Sequence, residues 1–249
     1  MKSFEGRSAV VTGAAQGIGY AIAEKLITEK VSEIAVLDWN AAAIEEAAKK
    51  LQAMDPACKV LPVQCDISEE ESVNAAFASI DKAFGKVDVL VNNAGISRDT
   101  MFHKMTFEQW DSVMKVNLYG TYFCCKAVMQ GMRDRGYGRI VNLSSVVAYG
   151  NAGQANYGAT KGAIISLTKT LAKEGGRKNI TVNAVAPHAI DTPMMHSVPQ
   201  NFMDSLIGNH VMHRLGRPEE VASLVAFLAN EEASYVSGTV VDCSGGDVT

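Results

Sequence analysis

A tyrosine and a lysine four positions apart carry the sharpest chemical signal in this chain: Tyr157 and Lys161, in Asn156-Tyr157-Gly158-Ala159-Thr160-Lys161. On a helix, positions i and i+4 share a face. An ammonium beside a phenol stabilises the phenolate and draws the tyrosine pKa below its reference of about 10. Such a tyrosine can exchange a proton with a substrate oxygen near neutral pH. The same pair also occurs idle on helix surfaces, so its neighbours carry weight. Ser144 follows a strand-like run and could hydrogen-bond the same oxygen. Asn117 lies in a mostly apolar helical stretch, residues 113–128, where a buried amide needs a specific partner.

A second chemical signal lies near the N-terminal end. A strand-like run passes into Thr12-Gly13-Ala14-Ala15-Gln16-Gly17-Ile18-Gly19 and then into a helical pattern. Glycines let the backbone turn tightly and approach a pyrophosphate, while a helix N-terminus offers free N–H groups and a favourable dipole. The spacing is G-x3-G-x-G, and its position between strand and helix favours phosphate binding over a plain turn. Asp38 ends the next strand, where a carboxylate can accept from adenosine ribose hydroxyls and would repel a 2′-phosphate. Nearby Gln16, Trp39 and Asn40 bring no cation, so NAD(H) is expected over NADP(H). Asp38 could also simply cap the following helix. Asp66, after the third strand, could reach the adenine edge or cap a helix.

These groups need a scaffold, and the sequence describes one. Strands are expected at 8–12, 33–37, 59–64, 87–92, 138–143, 180–186 and 239–243, mostly as continuous apolar runs suited to parallel strands covered on both faces. Helical spacing fills the gaps: Ile22, Ala23 and Leu26 share one face, as do Ile44, Ala47, Ala48 and Leu51. Ser68-Glu69-Glu70-Glu71 reads as a capping box, and Pro218-Glu219-Glu220 as a helix start. Strand–helix alternation with short connections predicts an α/β fold, a doubly wound seven-stranded parallel sheet in one domain over residues 1–249. Residues 187–216 lack a clear pattern. A stretch of that length is either a lid over a site or a packed excursion. Met194, Met195, Val198, Phe202, Met203, Leu206 and Ile207 give it apolar character.

Composition narrows the function. The 249 residues are 47% hydrophobic and 20% charged, with a net charge of −4, which argues against a nucleic-acid binder. The five cysteines, including vicinal Cys124-Cys125, form no CxxC pair and no zinc-type cluster, so no metal is expected. No apolar leader or membrane-length segment appears, and the protein is expected to be soluble and cytoplasmic.

Taken in order, Thr12–Gly19, Asn92-Asn93-Ala94-Gly95, Asn117, Ser144, Tyr157-x-x-x-Lys161 and Asn183-Ala184-Val185-Ala186-Pro187 resemble the short-chain dehydrogenase/reductase superfamily across the chain. The resemblance implies a Rossmann fold and hydride transfer between a nicotinamide cofactor and a secondary alcohol or ketone. It implies Tyr157 as acid/base and Ser144 as the group that polarises the carbonyl. Lys161 would bind the nicotinamide ribose and lower the tyrosine pKa, and Asn117 would hold a relay water. It further implies cofactor contacts from Gly13, Gln16, Gly17, Ile18, Gly19, Asp38, Asp66, Ile67, Asn93, Ala94, Gly95, Pro187 and Thr192. His188 departs from the pattern, since glycine usually follows that proline. A histidine there could strain the backbone if φ is positive, or could offer a new substrate contact.

Asn92–Asp99 and Gly216-Arg217-Pro218-Glu219-Glu220-Val221 look most like the 3-oxoacyl-thioester reductase branch, whose members usually prefer NADPH. The alternatives are NAD-dependent hydroxysteroid, polyol or other secondary-alcohol dehydrogenases, and, more remotely, a non-catalytic NAD-binding module. The resemblance also implies a homotetramer. One interface would use helices around 106–132 and 156–175, the other the helix after Pro218 and strand 239–243.

Overall fold

Seven strands form one parallel sheet: β1 (Ser8–Thr12), β2 (Glu33–Asp38), β3 (Lys59–Gln64), β4 (Val89–Asn92), β5 (Gly138–Leu143), β6 (Ile180–Pro187) and β7 (Val240–Cys243). Their order is β3-β2-β1-β4-β5-β6-β7, so the winding reverses between β1 and β4. The structure, a computed structural model, describes residues 2–196 and 200–246, and at 200–202, 205 and 209 the backbone alone.

The apolar strands are sorted by their period of two. Ala9, Val11, Ile34, Val36, Val89, Val91 and Val141 join a core with α1 (Gly17–Thr28), α2 (Ala41–Met54) and, near the C-terminus, Pro218–Ala229. The alternate residues Val10, Ala35, Leu37, Leu90 and Ile140 face the other way, onto α3 (Glu70–Phe84) and the helix Gly120–Arg135. Each fully buried Val, Ile or Leu contributes roughly 1.5–3 kcal/mol. Two covered faces leave the strand ends as the exposed part of the sheet, and at the C-terminal ends the site assembles.

Several local expectations change. β4 begins at Val89, although Asp88 still pairs through its backbone, its N–H donating to the Ser8 carbonyl and its carbonyl accepting from the Arg139 N–H, both at 2.9 Å. Its carboxylate accepts from the Ser8 N–H at 3.3 Å and pairs with Lys86 at 2.7 Å. The capping box at Ser68 does not form. The Ser68 hydroxyl donates to Asp66 Oδ1 at 2.7 Å, and α3 starts after Glu69 without a side-chain cap. The expected helix over 113–128 is three pieces: α4 (Phe107–Val113), a π-helical turn (Met114–Tyr119) and α5 (Gly120–Arg135).

Within residues 187–216, after α6 (Ala155–Gly175) and β6, the chain forms two helices, α7 (Pro193–His196) and α8 (Gln200–Asn209). The two limbs of this excursion are stitched together by Asp191 N–H to Gly216 O at 2.8 Å and Gly216 N–H to Ala189 O at 2.9 Å. The chain then enters α9 (Pro218–Ala229), whose Glu220 carboxylate reaches back to the Arg217 N–H at 2.7 Å. In the excursion Met203 is buried and Met194 is exposed. Val198 and the Phe202 side chain lie outside the described residues. Among the described residues, all five cysteines are free thiols, and no helix is long and apolar enough to cross a membrane.

Candidate active site

The glycine turn fits a dinucleotide by its steric detail. Gly13 and Gly17 adopt φ of +62° and +59°, a region that side chains disfavour. A Cβ at Gly19 would stand 2.2 Å from the Gly13 carbonyl oxygen, so only glycine lets α1 start so close to the strand end. No side chain caps α1 at Gln16, which leaves its first N–H groups available to an anion. The turn is locked to the neighbouring strand across the winding reversal. Thr12 Oγ1 accepts from the Asn93 and Ala94 N–H groups at 3.0 and 3.1 Å, and Asn93 Nδ2 donates to the carbonyls of Thr12 and Gly13 at 2.9 and 3.0 Å. Thr192 hangs over this turn, its Cγ2 3.5 Å from where a Gly17 Cβ would be, while Ile18 packs into the core.

Asp38 is not the cap of α2; Asn40 is, accepting from the Ala43 N–H at 3.1 Å. The Asp38 carboxylate accepts from the Asn40 N–H at 3.1 Å and from the Ala15 N–H at 3.4 Å. It therefore joins β2 to the glycine turn. Beside it lies a hollow of about 300 Å³ lined by Ala15, Gln16, Tyr20, Glu46 and Lys50, among others. Its one cation, Lys50, is paired with Glu46 at 2.8 Å. Asp66 turns its carboxylate onto Ser68, and Ile67 is buried against Gly120. Both side chains thus have local contacts.

Tyr157 stands in the first turn of α6, which is fixed by Asn156. The Asn156 Nδ2 donates to the Arg98 and Gln109 carbonyls at 3.0 and 3.1 Å, and its Oδ1 accepts the Tyr157 N–H at 2.8 Å. One turn on, Lys161 is buried, and its ammonium donates to the Leu143 carbonyl at 2.6 Å. Asn117 sits in the π-helical turn and is fully buried. Its Oδ1 accepts the Ile96 N–H at 2.8 Å, and its Nδ2 donates to Ile96 O at 3.0 Å and Thr160 Oγ1 at 3.3 Å. The amide thus fastens the loop after β4 to α6. The widened turn brings it there, as π-bulges at functional sites commonly do. Gly95 closes the space between the two halves: a Cβ there would lie 3.2 Å from Asn117 Oδ1 and 3.7 Å from Lys161 Nζ.

The two serines exchange expected places. Ser144 does not face the cleft; its hydroxyl is buried and donates to the Lys161 carbonyl at 2.9 Å. The next residue, Ser145, shares a hydrogen bond with the Tyr157 side chain. It also accepts the Val147 N–H at 3.2 Å and donates to the Pro187 carbonyl at 3.4 Å. Successive side chains at a strand end point to opposite faces, so only one of a serine pair can meet the tyrosine. Sequence reasoning missed Ser145; that alternation was the signal available.

The electrostatics also depart from expectation. Burial pushes the Tyr157 phenol up to about 12, its bond to Ser145 opposing and the Asp99 carboxylate adding to the rise. Burial pushes the Lys161 ammonium down to about 8. The ammonium stands 5.3 Å from the tyrosine ring centroid and is committed to Leu143, so it does not lower the phenol's pKa here. Asp99 is held by Gln154, which donates to Oδ2 at 2.9 Å, and by Ser97. His188 is not strained: Lys30, Asn179 and His213 are the non-glycine residues with positive φ among those described.

A glycine turn at the winding reversal, a carboxylate at the end of β2 and a Ser–Tyr–Lys cluster on neighbouring strand ends define a nicotinamide-dependent oxidoreductase of the Rossmann type. The family model for enoyl-(acyl carrier protein) reductase matches residues 13–247. An acetoacetyl-CoA reductase of Shinella zoogloeoides is 40% identical over 242 residues, covering 96% of this chain and 98% of its own. A 3-oxoacyl-[acyl-carrier-protein] reductase of Thermotoga maritima is 40% identical over 243 residues, covering 97% and 98%. The crystal structure of levodione reductase superposes with a TM-score of 0.93 at 32% identity, covering 99% of this chain and 98% of that one. The chain belongs to the short-chain dehydrogenase/reductase family, oxidoreductases that use NAD(P).

In the cofactor-free protein, Tyr157 should remain a phenol well above the ordinary tyrosine range. A group whose pKa is raised stays protonated until the pH reaches the raised value, here about 12. Ultraviolet difference titration of the protein and of Tyr157→Phe checks this. A phenol ionising below the reference value of about 10 that disappears in the variant would contradict it.

Proposed function

We propose that this enzyme reduces the ketone of 3-oxoacyl thioesters to the secondary alcohol, with NADH preferred to NADPH. The observation that carries the reaction is the placement of Ser145, Tyr157 and Lys161 on strand and helix ends beside the glycine turn. The substrate class is supported by relatives named for acetoacetyl-CoA and 3-oxoacyl-[acyl-carrier-protein] reduction.

A bound nicotinamide dinucleotide would supply the hydride. Gly13, Gly17 and Gly19 would hold its pyrophosphate at the α1 N-terminus, Asp38 would accept from the adenosine ribose, and Asn93, Ala94, Gly95, Pro187 and Thr192 would line its path. Ser145 hydrogen-bonds the ketone oxygen and keeps it beside Tyr157. As that oxygen gains charge, Tyr157 gives it the phenolic proton and takes one back from solvent afterwards. Lys161 would hold the nicotinamide ribose, its ammonium the cation beside the phenolate that forms. Asn117 and Ser144 are positioning residues that hold the loop and the helix carrying these groups.

The family description names enoyl reduction, so a substrate panel is the deciding experiment. 3-Oxoacyl-CoA should be reduced in preference to an enoyl-CoA, a steroid ketone and a keto-sugar. Turnover of the enoyl thioester alone would overturn the substrate reading. With the confirmed substrate, Tyr157→Phe and Ser145→Ala should each lower kcat by about 10²-fold, with little change in NADH affinity. Ser144→Ala should cost under about tenfold, since it removes one buried hydrogen bond of roughly 1 kcal/mol. A larger loss at Ser144 than at Ser145 would reverse the two roles.

The cofactor preference rests on Asp38 and on the paired state of Lys50. The ratio of kcat/KM for NADH over NADPH should be at least about tenfold, or about 1.4 kcal/mol, and Asp38→Ser should shrink it. Equal values in the unmodified enzyme would refute this.

We also infer a homotetramer. Phe107, Tyr119 and Tyr122, around α4 and α5, are exposed, as are Phe227 and Tyr235 near the other expected interface. Exposed apolar side chains mark an interaction site where they form a contiguous patch. Light scattering should give about four times 26.6 kDa; a monomer's mass would exclude it.

A further inference from the structure

His188 begins where β6 ends, and its N–H donates to the Cys243 carbonyl at 3.2 Å, extending the pairing with β7 by one residue. Its side chain borders a hollow of about 250 Å³ shared with Ile190, His210, Met212 and Gly245, among others, which neither Ser145, Tyr157 nor Lys161 lines. The ring thus borders a hollow separate from the proton-transfer groups.

What it meets there is the returning limb of the 187–216 excursion. His210 follows α8 directly and is buried. The two imidazoles pack edge to face, with centroids 5.1 Å apart and planes at 64°. His210 also organises its own turn. Its N–H donates to Leu206 O at 3.0 Å, its Nδ1 accepts the Met212 N–H at 3.3 Å, and its carbonyl accepts the His213 N–H at 2.9 Å. The far wall is Gly245, where a Cβ would come within 2.7 Å of His210 Cε1. Room for this ring thus exists because a glycine at φ +61° closes the turn after β7.

We propose that His188 and His210 form an aromatic clasp that holds the end of β6, and with it Pro187, against the returning limb of the excursion, making His210 a positioning residue for cofactor binding. The coupling rests on the reading that Pro187 lies along the nicotinamide path. Both partners are needed for the contact, and an edge-to-face pair depends on ring shape. A phenyl ring at 188 has the adjoining hollow to accept its extra bulk.

The test uses His210→Ala, His188→Ala, their double variant and His188→Phe, with two readouts. NADH affinity by fluorescence titration should weaken about fivefold in each single alanine variant, while kcat at saturating NADH stays within about twofold. The double variant should be no weaker than the worse single one, because the two act through one contact. His188→Phe should restore affinity. Limited proteolysis within residues 191–209, without cofactor, should be faster in the alanine variants and return to the unmodified rate in His188→Phe. Additive losses, unchanged affinity in both single variants, or a His188→Phe as weak as His188→Ala would overturn the coupling. If the unmodified protein bound no nicotinamide dinucleotide, the cofactor reading would fail, and proteolysis alone would decide the clasp. Equal cleavage rates in all variants would refute it.

Discussion

The buried ammonium of Lys161 is the constraint from which the rest of the site follows. A charge removed from water costs several kcal/mol unless the surroundings compensate, and burial already brings this lysine down to about 8. The compensation is a reciprocal clasp between the β5 tip and α6: Lys161 Nζ donates to Leu143 O at 2.6 Å, and Ser144 Oγ donates to Lys161 O at 2.9 Å. The two bonds fix the rotation of α6 about its axis. Tyr157, one turn earlier, then has one direction available, toward Ser145. Asn117 holds the same helix through Thr160, whose hydroxyl donates to the Tyr157 carbonyl at 2.8 Å.

Deeper in the molecule a polar ladder repeats this fastening. Asn92 Nδ2 donates to Asn142 Oδ1 at 2.8 Å, and Asn142 Nδ2 donates to Thr168 Oγ1 at 2.9 Å, linking β4, β5 and α6. Buried amides of this kind add less to stability than to uniqueness, because a one-residue slip of either strand would leave them unpaired. The ladder therefore protects the register that brings the glycine turn, at one side of the winding reversal, to the serine and tyrosine at the other.

Much of this was legible in the sequence because the sheet is covered on both faces. Continuous apolar runs such as Ala9-Val10-Val11 are strongly determined, and each expected strand lies within two residues of the observed one. The tyrosine, lysine and glycines were legible because their chemistry depends on spacing. Less legible were features decided by a single rotation or by a distant partner. Ser144 and Ser145 are equivalent as letters, and only the strand-end geometry separates them. Ser68 had the letters of a cap, yet Asp66 competes for its hydroxyl. The phenol's pKa needed the location of the ammonium, which is set by a carbonyl that no side-chain pattern encodes. His188 needed the knowledge that His210, distant in sequence, would shelter it.

The same electrostatics hold the proton that a ketone reduction needs. A phenol at about 12 is a proton donor at every ordinary pH, and Asp99 reinforces that state. Reduction of a ketone requires a donor at the moment the oxygen becomes negative, so the resting site already holds the form that the forward step uses. Oxidation would require the phenolate first, a form that burial disfavours here. In the cofactor-free protein the lysine rests on a backbone carbonyl and the tyrosine keeps its proton, the form on which the proposed ketone reduction would draw.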